Sequence, residues 1–305
     1  MTPNPVLRRL GLAPDDRAVI IHADDLGMCQ ATLAGLEDLL EAGIVSSGSI
    51  MVPCPWFRAA AQFAAGHPKA DLGVHLTLTS EWKTYRWGPI STADTASGLL
   101  DAEGYFPATS RAVQETGDPA AAAVEIEAQV ERAAGAGIAL THVDTHMGAV
   151  ASARFMESYV NAALRRGLPP MLPRLDEQGW RELSHDHAGG SLDGEAIRGV
   201  MALLHTLEER GVPLIDALSG LSLSADPALR MEEARAALAA LKPGITHFII
   251  HPALDTPELR AITRDWPCRA ADCATFAKKE LRDFIRSQGI YVIGYRELRE
   301  IMRPA

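Results

Sequence analysis

Short apolar runs alternate along the chain with longer segments in which apolar residues recur at helical spacing. Eight of these runs have the continuous apolar character of strands that are covered on both faces of a parallel sheet. The helical segments lie between them, and Gly43 is placed to end the first one. We predict strands over residues 18–22, 48–52, 72–78, 139–143, 171–175, 213–218, 246–250 and 290–293, and helices over residues 30–42, 56–65, 120–135, 153–166, 192–209, 227–241 and 274–288.

This alternation predicts an α/β fold, and the spacing suits a (β/α) barrel as well as a doubly wound sheet. The periodicity fails from residue 79 to about residue 118, and a segment of this length is more typical of a binding loop than of a plain connection. No repeat, low-complexity tract or linker divides the sequence. We therefore predict a single domain over residues 1–305, with a core of about 18–295, built as a distorted (β/α) barrel with a long insertion loop after the third strand.

The composition narrows the class of protein. The 305 residues are 47% hydrophobic and 22% charged, which provides enough apolar material for a large core. A net charge of -10 argues against binding to nucleic acid or to anionic membrane surfaces. No apolar run reaches the roughly 18 residues of a membrane span, and no signal-peptide core follows Arg8 and Arg9. We expect a cytoplasmic protein with four reduced, structural cysteines, and the sequence leaves open whether it forms a homo-oligomer.

Carboxylates and imidazoles recur where predicted strands end, which is where both candidate architectures place their active sites. Alternation along the third strand places His75 on the face that would point into a barrel. A ligand set of neutral imidazoles and a carboxylate suits Zn, Fe, Co, Ni or Mn. The residues concerned are Asp24 and Asp25, His75, the set His142, Asp144 and His146, and His251.

Each of these residues also has a purely structural interpretation. A single strand histidine is more often hydrogen-bonded in the core than bound to a metal, and Asp24 with Asp25 could form a turn or an N-cap ahead of Gly27. Four strand ends that all present acid or imidazole are nevertheless hard to reconcile with packing alone. Because buried charge is costly unless it is paired or bound to a metal, the coincidence favours a metal site.

Four segments resemble, in order, motifs of the YdjC/ChbG-like carbohydrate deacetylases: HADDLG at 22–27, GVHLTLT at 73–79, THVDTH at 141–146 and HPA at 251–253. The resemblance spans about residues 18–295. It implies a (β/α)-barrel-like fold distantly related to the NodB-type polysaccharide deacetylases. It also implies removal of acetyl groups from N-acetylated sugars or oligosaccharides with one divalent metal ion (Zn, Mg, Mn, Co or Ni).

Matched residue by residue, the resemblance implies that Asp25, His75 and His146 are the metal ligands. Asp24 would be the general base, which removes a proton from the attacking water. His251 would be the general acid, which protonates the leaving amine so that it departs neutral.

The same resemblance gives His142 and Asp144 a supporting role, in which they orient the metal ligands. The sequence departs from the usual family pattern at His22, at Met147 with the glycine after it, and at His247. These positions bear on the substrate more than on the chemistry.

Aromatic residues cluster in the aperiodic segment that follows the third strand. We predict that Trp82, Tyr85, Arg86 and Trp87 bind substrate, because aromatic faces contact sugar rings and Arg86 or Lys83 could hydrogen-bond hydroxyl groups. Two alternatives are equally consistent with the sequence. Trp82 and Trp87 could cover one end of the barrel, or they could form a subunit contact.

Other functions are weaker alternatives. A metal-dependent sugar isomerase or aldolase could share the architecture, but such enzymes usually need a lysine or more carboxylates near the metal. A non-catalytic sugar-binding protein could also keep the fold, but we would expect it to lose Asp24 or His251. The polar stretch 184–191, with His185 and His187, is predicted to be a solvated loop, with an extra surface metal site as a weaker option.

Overall fold

The structure is a computed structural model that describes residues 3–186 and 194–302. Its strands are β1 (Arg17–Leu26), β2 (Ser47–Ile50), β3 (Leu72–Leu76), β4 (Leu140–Thr145), β5 (Ala217–Gly220), β6 (Gly244–Ile250) and β7 (Ile290–Val292). They form one parallel sheet in the order β4, β3, β2, β1, β6, β5, and β7 pairs with the first half of β1. The sheet is not closed, as expected for a distorted (β/α) barrel, and the predicted α/β class is confirmed.

Helices follow most of the strands and cover the sheet. In the described residues they are α1 (Pro5–Arg9), α2 (Gln30–Ala34), α3 (Leu36–Ala42), α4 (Phe57–Gly66), α5 (Ser110–Thr116), α6 (Pro119–Gly135), α7 (Met156–Leu164), α8 (Glu177–Asp186), α9 (Gly194–Glu209), α10 (Arg230–Ala239), α11 (Pro257–Ile262), α12 (Trp266–Phe276), α13 (Lys279–Ser287) and α14 (Tyr295–Ile301).

The central strand β1 carries different chemistry on its two faces. Ile21 lies in the main hydrophobic core, whereas Ile20 belongs to a smaller cluster that includes Tyr295. Because side chains alternate along a strand, the face of Ile20 continues with His22 and Asp24. This face therefore changes from apolar to polar toward the carboxyl end of the strand.

The prediction of a strand over residues 171–175 is wrong. Pro170 and Pro173 form only isolated bridges, to Val143 of β4 and to Ile215 just before β5. Proline has no amide hydrogen to donate, so it interrupts a ladder of hydrogen bonds. The segment therefore spans the gap between β4 and β5 through one isolated bridge on each side. The described residues form seven strands where eight were predicted.

Other predicted boundaries also shift. The helix predicted over 274–288 is split between α12 and α13, and the one predicted over 30–42 is interrupted at Gly35. The strand predicted over 213–218 begins later, as β5. Most of the predicted loop 184–191, including His187, lies outside the described residues, and residues 184–186 form the end of α8.

The segment after β3 runs over the carboxyl end of the sheet before α5 begins. Residues 77–109 contain one 3-10 turn, Thr95–Ser97. Two fully buried side chains of α6 fix the segment: Gln129 exchanges two hydrogen bonds with the backbone of Thr77, and Glu125 accepts from the amide of Ile90. The segment is therefore anchored to the fold by specific polar contacts. That it is an insertion into the barrel stays a prediction.

Cys29, Cys54, Cys268 and Cys273 are buried free thiols. None of the helices in the described residues is both long and apolar enough to cross a bilayer.

Candidate active site

The carboxyl ends of β1, β3, β4 and β6 meet at a cavity of about 930 Å³. This volume is typical of sites for small molecules. Five of the acidic and histidine residues singled out from the sequence line it: Asp24, Asp25, His75, His146 and His251. Side chains that are far apart in the sequence are thus brought to one place by the parallel arrangement of the strands.

Backbone strain is concentrated at this cavity. Asp25 (φ 63°) and Met147 (φ 52°) are the only residues other than glycine with a left-handed backbone in the described part of the chain, and Met147 also lines the cavity. Such conformations cost energy and cluster at functional sites. Asp25 lies where the pairing of β1 with β2 is irregular, between Ala23 and Leu26.

Asp25, His75 and His146 form a compact buried group. Asp25 Oδ1 lies 3.5 Å from His75 Nε2 and 3.1 Å from His146 Nδ1, and one potential ligand atom from each residue lies within 4.8 Å of the others. No well-aligned hydrogen bond from the described residues satisfies Asp25 Oδ1, although it is buried. One carboxylate and two imidazoles in this arrangement could hold a divalent metal ion.

The second oxygen of Asp25 is held by a buried arginine. Arg269 Nη1 donates to Asp25 Oδ2 at 2.7 Å, and Arg269 Nε donates to Asp265 Oδ1 at 2.7 Å. Burial alone would raise the pKa of Asp25, but Arg269, with His146 and His75, outweighs burial and holds that pKa well below its usual range. Asp25 is therefore a carboxylate over the whole neutral range.

Asp144 fixes the orientation of His75. Asp144 Oδ1 lies 2.8 Å from His75 Nδ1, so that Nε2 is the ring nitrogen directed at Asp25. Burial opposes charge at both residues, but their attraction raises the pKa of His75 well above, and lowers that of Asp144 well below, the usual values. A carboxylate behind a histidine in this way is typical of metal-binding imidazoles.

His146 has a corresponding carboxylate that the sequence analysis did not single out. Glu81 Oε2 lies 3.2 Å from His146 Nε2, and Glu81 lines the cavity. Burial would lower the pKa of His146, but Glu81 and Asp25 raise it to about 9. Glu81 was missed because it belongs to the aperiodic segment, where spacing carries no information about which side chains point inward.

Asp24 and His251 face each other across the cavity floor. Asp24 Oδ2 lies 3.7 Å from His75 Nε2 and 3.9 Å from His251 Nε2. Burial raises the pKa of Asp24 to about 6, although neighbouring imidazoles oppose this. Burial lowers the pKa of His251 to about 3, so its imidazole is neutral near pH 7.

A layer of buried rings lies beneath the cavity floor. His142 stacks on Tyr295 at 4.0 Å, and His247 Nδ1 lies 2.8 Å from the Tyr295 hydroxyl. His142 approaches Asp144 only at 3.9 Å and lies outside the cavity lining. His22, Asp24, Asp144 and His247 form a second buried group of potential ligand atoms.

The aromatic segment places its four predicted substrate residues differently. Trp82 lines the cavity. Trp87 is buried and donates through Nε1 to a backbone carbonyl at 2.8 Å, and the Tyr85 hydroxyl does the same at 2.6 Å. Arg86 pairs with Asp101 at 2.7 Å. The polar groups of Tyr85, Arg86 and Trp87 are thus used inside the protein, and the substrate contacts of all four residues stay predictions.

The sequence of the chain is similar to that of known proteins over nearly its full length. The profile of the YdjC-like protein family matches residues 18–287. A carbohydrate deacetylase of Thermus thermophilus is 32% identical over 97% of this chain and 99% of that protein. A carbohydrate deacetylase of Thermoanaerobacter pseudethanolicus is 24% identical over 91% of this chain and 97% of that protein.

A solved structure gives an independent comparison of the fold. A protein of Enterococcus faecalis, provisionally named a cellobiose-phosphate cleavage protein, superposes with a TM-score of 0.69 at 20% identity, over 93% of this chain and 99% of that one. At this identity the similarity concerns the fold alone. Since the family profile and the Thermus relative both cover most of the sequence, the chain belongs to the YdjC-like protein family.

Proposed function

We propose that this protein is a metal-dependent hydrolase that removes acetyl groups from N-acetylated sugars or oligosaccharides. The observation that carries the proposal is the buried group of Asp25, His75 and His146 at the floor of the cavity, with Asp24 beside it. The two relatives named carbohydrate deacetylases support the choice of reaction and of substrate class.

The donor set fits a divalent cation. The buried oxygen Asp25 Oδ1 receives no aligned hydrogen bond from the part of the chain that the structure describes, and it faces one nitrogen of each of two histidines. Asp25, His75 and His146 would hold the ion. When bound, a divalent cation supplies a Lewis acid for the amide carbonyl and lowers the pKa of a water molecule.

Asp24 is suited to act as the general base. Its carboxylate is next to the proposed ligands without being part of their group, and burial raises its pKa to about 6. A base with a pKa close to the working pH removes a proton efficiently. We propose that Asp24 takes the proton of the water that attacks the amide carbon.

His251 would complete the reaction by delivering a proton to the leaving amine. Because burial keeps its imidazole neutral, His251 must first receive a proton. We propose that Asp24 supplies this proton, and the distance of 3.9 Å between Asp24 Oδ2 and His251 Nε2 requires a bridging water or a small rotation. Water and the amide are then converted to the free amine and acetic acid, which releases its proton to solvent as acetate, and both residues return to their starting states.

The cavity wall and the thiols support two further parts of the proposal. Trp82 would offer its ring to a sugar face, as aromatic walls of sugar sites do. Four free, buried thiols are consistent with a reducing compartment such as the cytoplasm.

The proposal is tested by measuring acetate release from a panel of N-acetylated mono- and oligosaccharides, with metal content determined on the same sample. We expect release from at least one sugar, loss of release after chelation, and recovery when a divalent cation is returned. Acetate release that survives complete removal of metal would contradict the metal-dependent mechanism. Conversion of unacetylated aldoses to ketoses, without acetate release, would favour the isomerase alternative.

A further inference from the structure

Each of the three proposed metal ligands is contacted from behind by a charged side chain. These contacts fall on the atom of each ligand that faces away from the other two. The pairs are Asp25 Oδ2 with Arg269 Nη1 at 2.7 Å, His75 Nδ1 with Asp144 Oδ1 at 2.8 Å, and His146 Nε2 with Glu81 Oε2 at 3.2 Å.

The ring nitrogen of His146 that faces the group is Nδ1, which lies 3.1 Å from Asp25 Oδ1. His75 presents Nε2 at 3.5 Å from the same oxygen. Neighbouring ligands on one cation, with bonds of about 2.1 Å, lie about 3.0 to 3.4 Å apart. An imidazole ligates through an unprotonated nitrogen, so His146 must keep its remaining proton on Nε2, where Glu81 accepts it.

Glu81 lies behind His146 and is not a member of the group of potential ligand atoms. We propose that Glu81 is the positioning residue for His146, and that through it the segment 77–109 controls the metal affinity of the site. This inference rests on the proposed metal-dependent function. It assigns a role to a residue that no motif in the sequence marks.

Glu81 and Asp144 belong to different kinds of structural element and differ in exposure. Asp144 belongs to a strand and is fully buried, whereas the Glu81 side chain is 20% exposed on the cavity wall. Its neighbour Trp82 lies over Arg269, with 5.7 Å between the guanidinium carbon and the ring. Two consecutive residues of one segment therefore lie against the site at different points: Glu81 contacts the ligand His146, and Trp82 contacts Arg269, the partner of the ligand Asp25.

The experiment uses Co²⁺ as the probe, because its visible absorption reports both binding and coordination. Four full-length proteins are stripped of metal and titrated with Co²⁺: the wild type and the variants Glu81→Ala, Glu81→Gln and Glu103→Gln. Glu103 is the matched control, since it lies in the same segment with a side chain that is 73% exposed. We expect Glu81→Ala to weaken Co²⁺ binding about 10- to 100-fold without changing the shape of the absorption band. Glu81→Gln should lose less Co²⁺ affinity, because the amide oxygen of Gln can still accept a hydrogen bond from His146 Nε2. Glu103→Gln should bind Co²⁺ with wild-type affinity.

Three results separate the inference from the function on which it rests. Wild-type Co²⁺ affinity in Glu81→Ala would overturn the positioning role. An absorption band whose shape changes in Glu81→Ala would also overturn it, because Glu81 would then be a ligand itself. If the wild-type protein binds no Co²⁺, the metal site of the proposed function is contradicted instead. The same holds if the Asp25→Ala variant binds Co²⁺ as tightly as the wild type. If Glu81→Ala does not fold, the isosteric Glu81→Gln still reports the predicted loss.

Discussion

The carboxylate of Asp144 bridges two buried histidines. Its Oδ1 lies 2.8 Å from His75 Nδ1, and its Oδ2 lies 2.8 Å from His22 Nε2. Rotation of this carboxylate would break both of these close contacts. Asp144 therefore fixes the direction in which His75 presents Nε2, although Asp144 itself is not part of the cavity wall.

We predict that Asp144→Asn weakens metal binding by about 10- to 100-fold while the protein stays folded. The amide keeps the shape of the side chain but places an N–H₂ group against one of the two rings, so one of the contacts is lost. Metal retained after dialysis against a buffer of fixed free Zn²⁺ checks the prediction. Asp101→Asn is the matched control, because the same substitution removes the charge of an aspartate that pairs with Arg86. This control variant should retain wild-type metal content. Full metal retention in Asp144→Asn would show that the orientation of His75 is fixed by other contacts.

Replacing any one of Asp25, His75 and His146 by alanine should remove most of the bound metal. Each change deletes one of the three proposed protein ligands, and an ion with two remaining ligands is held weakly. Elemental analysis of the purified variants measures the loss. His205→Ala is the control, because this histidine is exposed on α9. If all three variants keep full occupancy, the ligands lie elsewhere, and the second buried group around His22 becomes the next candidate.

Asp24→Asn should separate the base from the ligands. We expect this variant to keep its metal and its fold but to lose about 10² to 10⁴ in kcat, the usual contribution of a general base. The reason is that an amide cannot accept the proton of the attacking water. The assay is acetate release, with metal content measured on the same preparation. Loss of the metal in Asp24→Asn would instead make Asp24 a ligand.

The strand ends were the part of the site that could be predicted from the sequence. Alternation within a strand is local, so the inward direction of His75 follows from its neighbours, and parallel strands bring their carboxyl ends to one edge. The same argument, together with the family resemblance, predicted that Asp25 and His146 lie close to His75. Their roles still depend on the experiments above.

The remaining contacts depend on tertiary approach, which no local pattern records. Arg269 lies 244 positions from Asp25 in the sequence, and its helix α12 has no periodicity that marks the residue as buried. The apolar run 171–175 has the composition of a strand, but its hydrogen bonds are limited by prolines such as Pro173, which decide the outcome. The aromatic segment also looked uniform in sequence, although its members are used differently.

The pair Trp82 and Trp87 tests that difference directly. Trp87 is buried, packs against Trp82 and donates to the backbone through Nε1, so Trp87→Ala should lower the free energy of unfolding by about 3 to 5 kcal/mol. Trp82 lines the cavity, so Trp82→Ala should mainly raise KM. The lost contact of about 1 to 3 kcal/mol corresponds to roughly 5- to 150-fold, with kcat and metal content retained. Denaturant unfolding and steady-state kinetics on both variants give the comparison. An unchanged KM in Trp82→Ala, together with an unchanged elution volume in size exclusion, would leave Trp82 as a cover over the carboxyl end of the sheet and remove it from the substrate site.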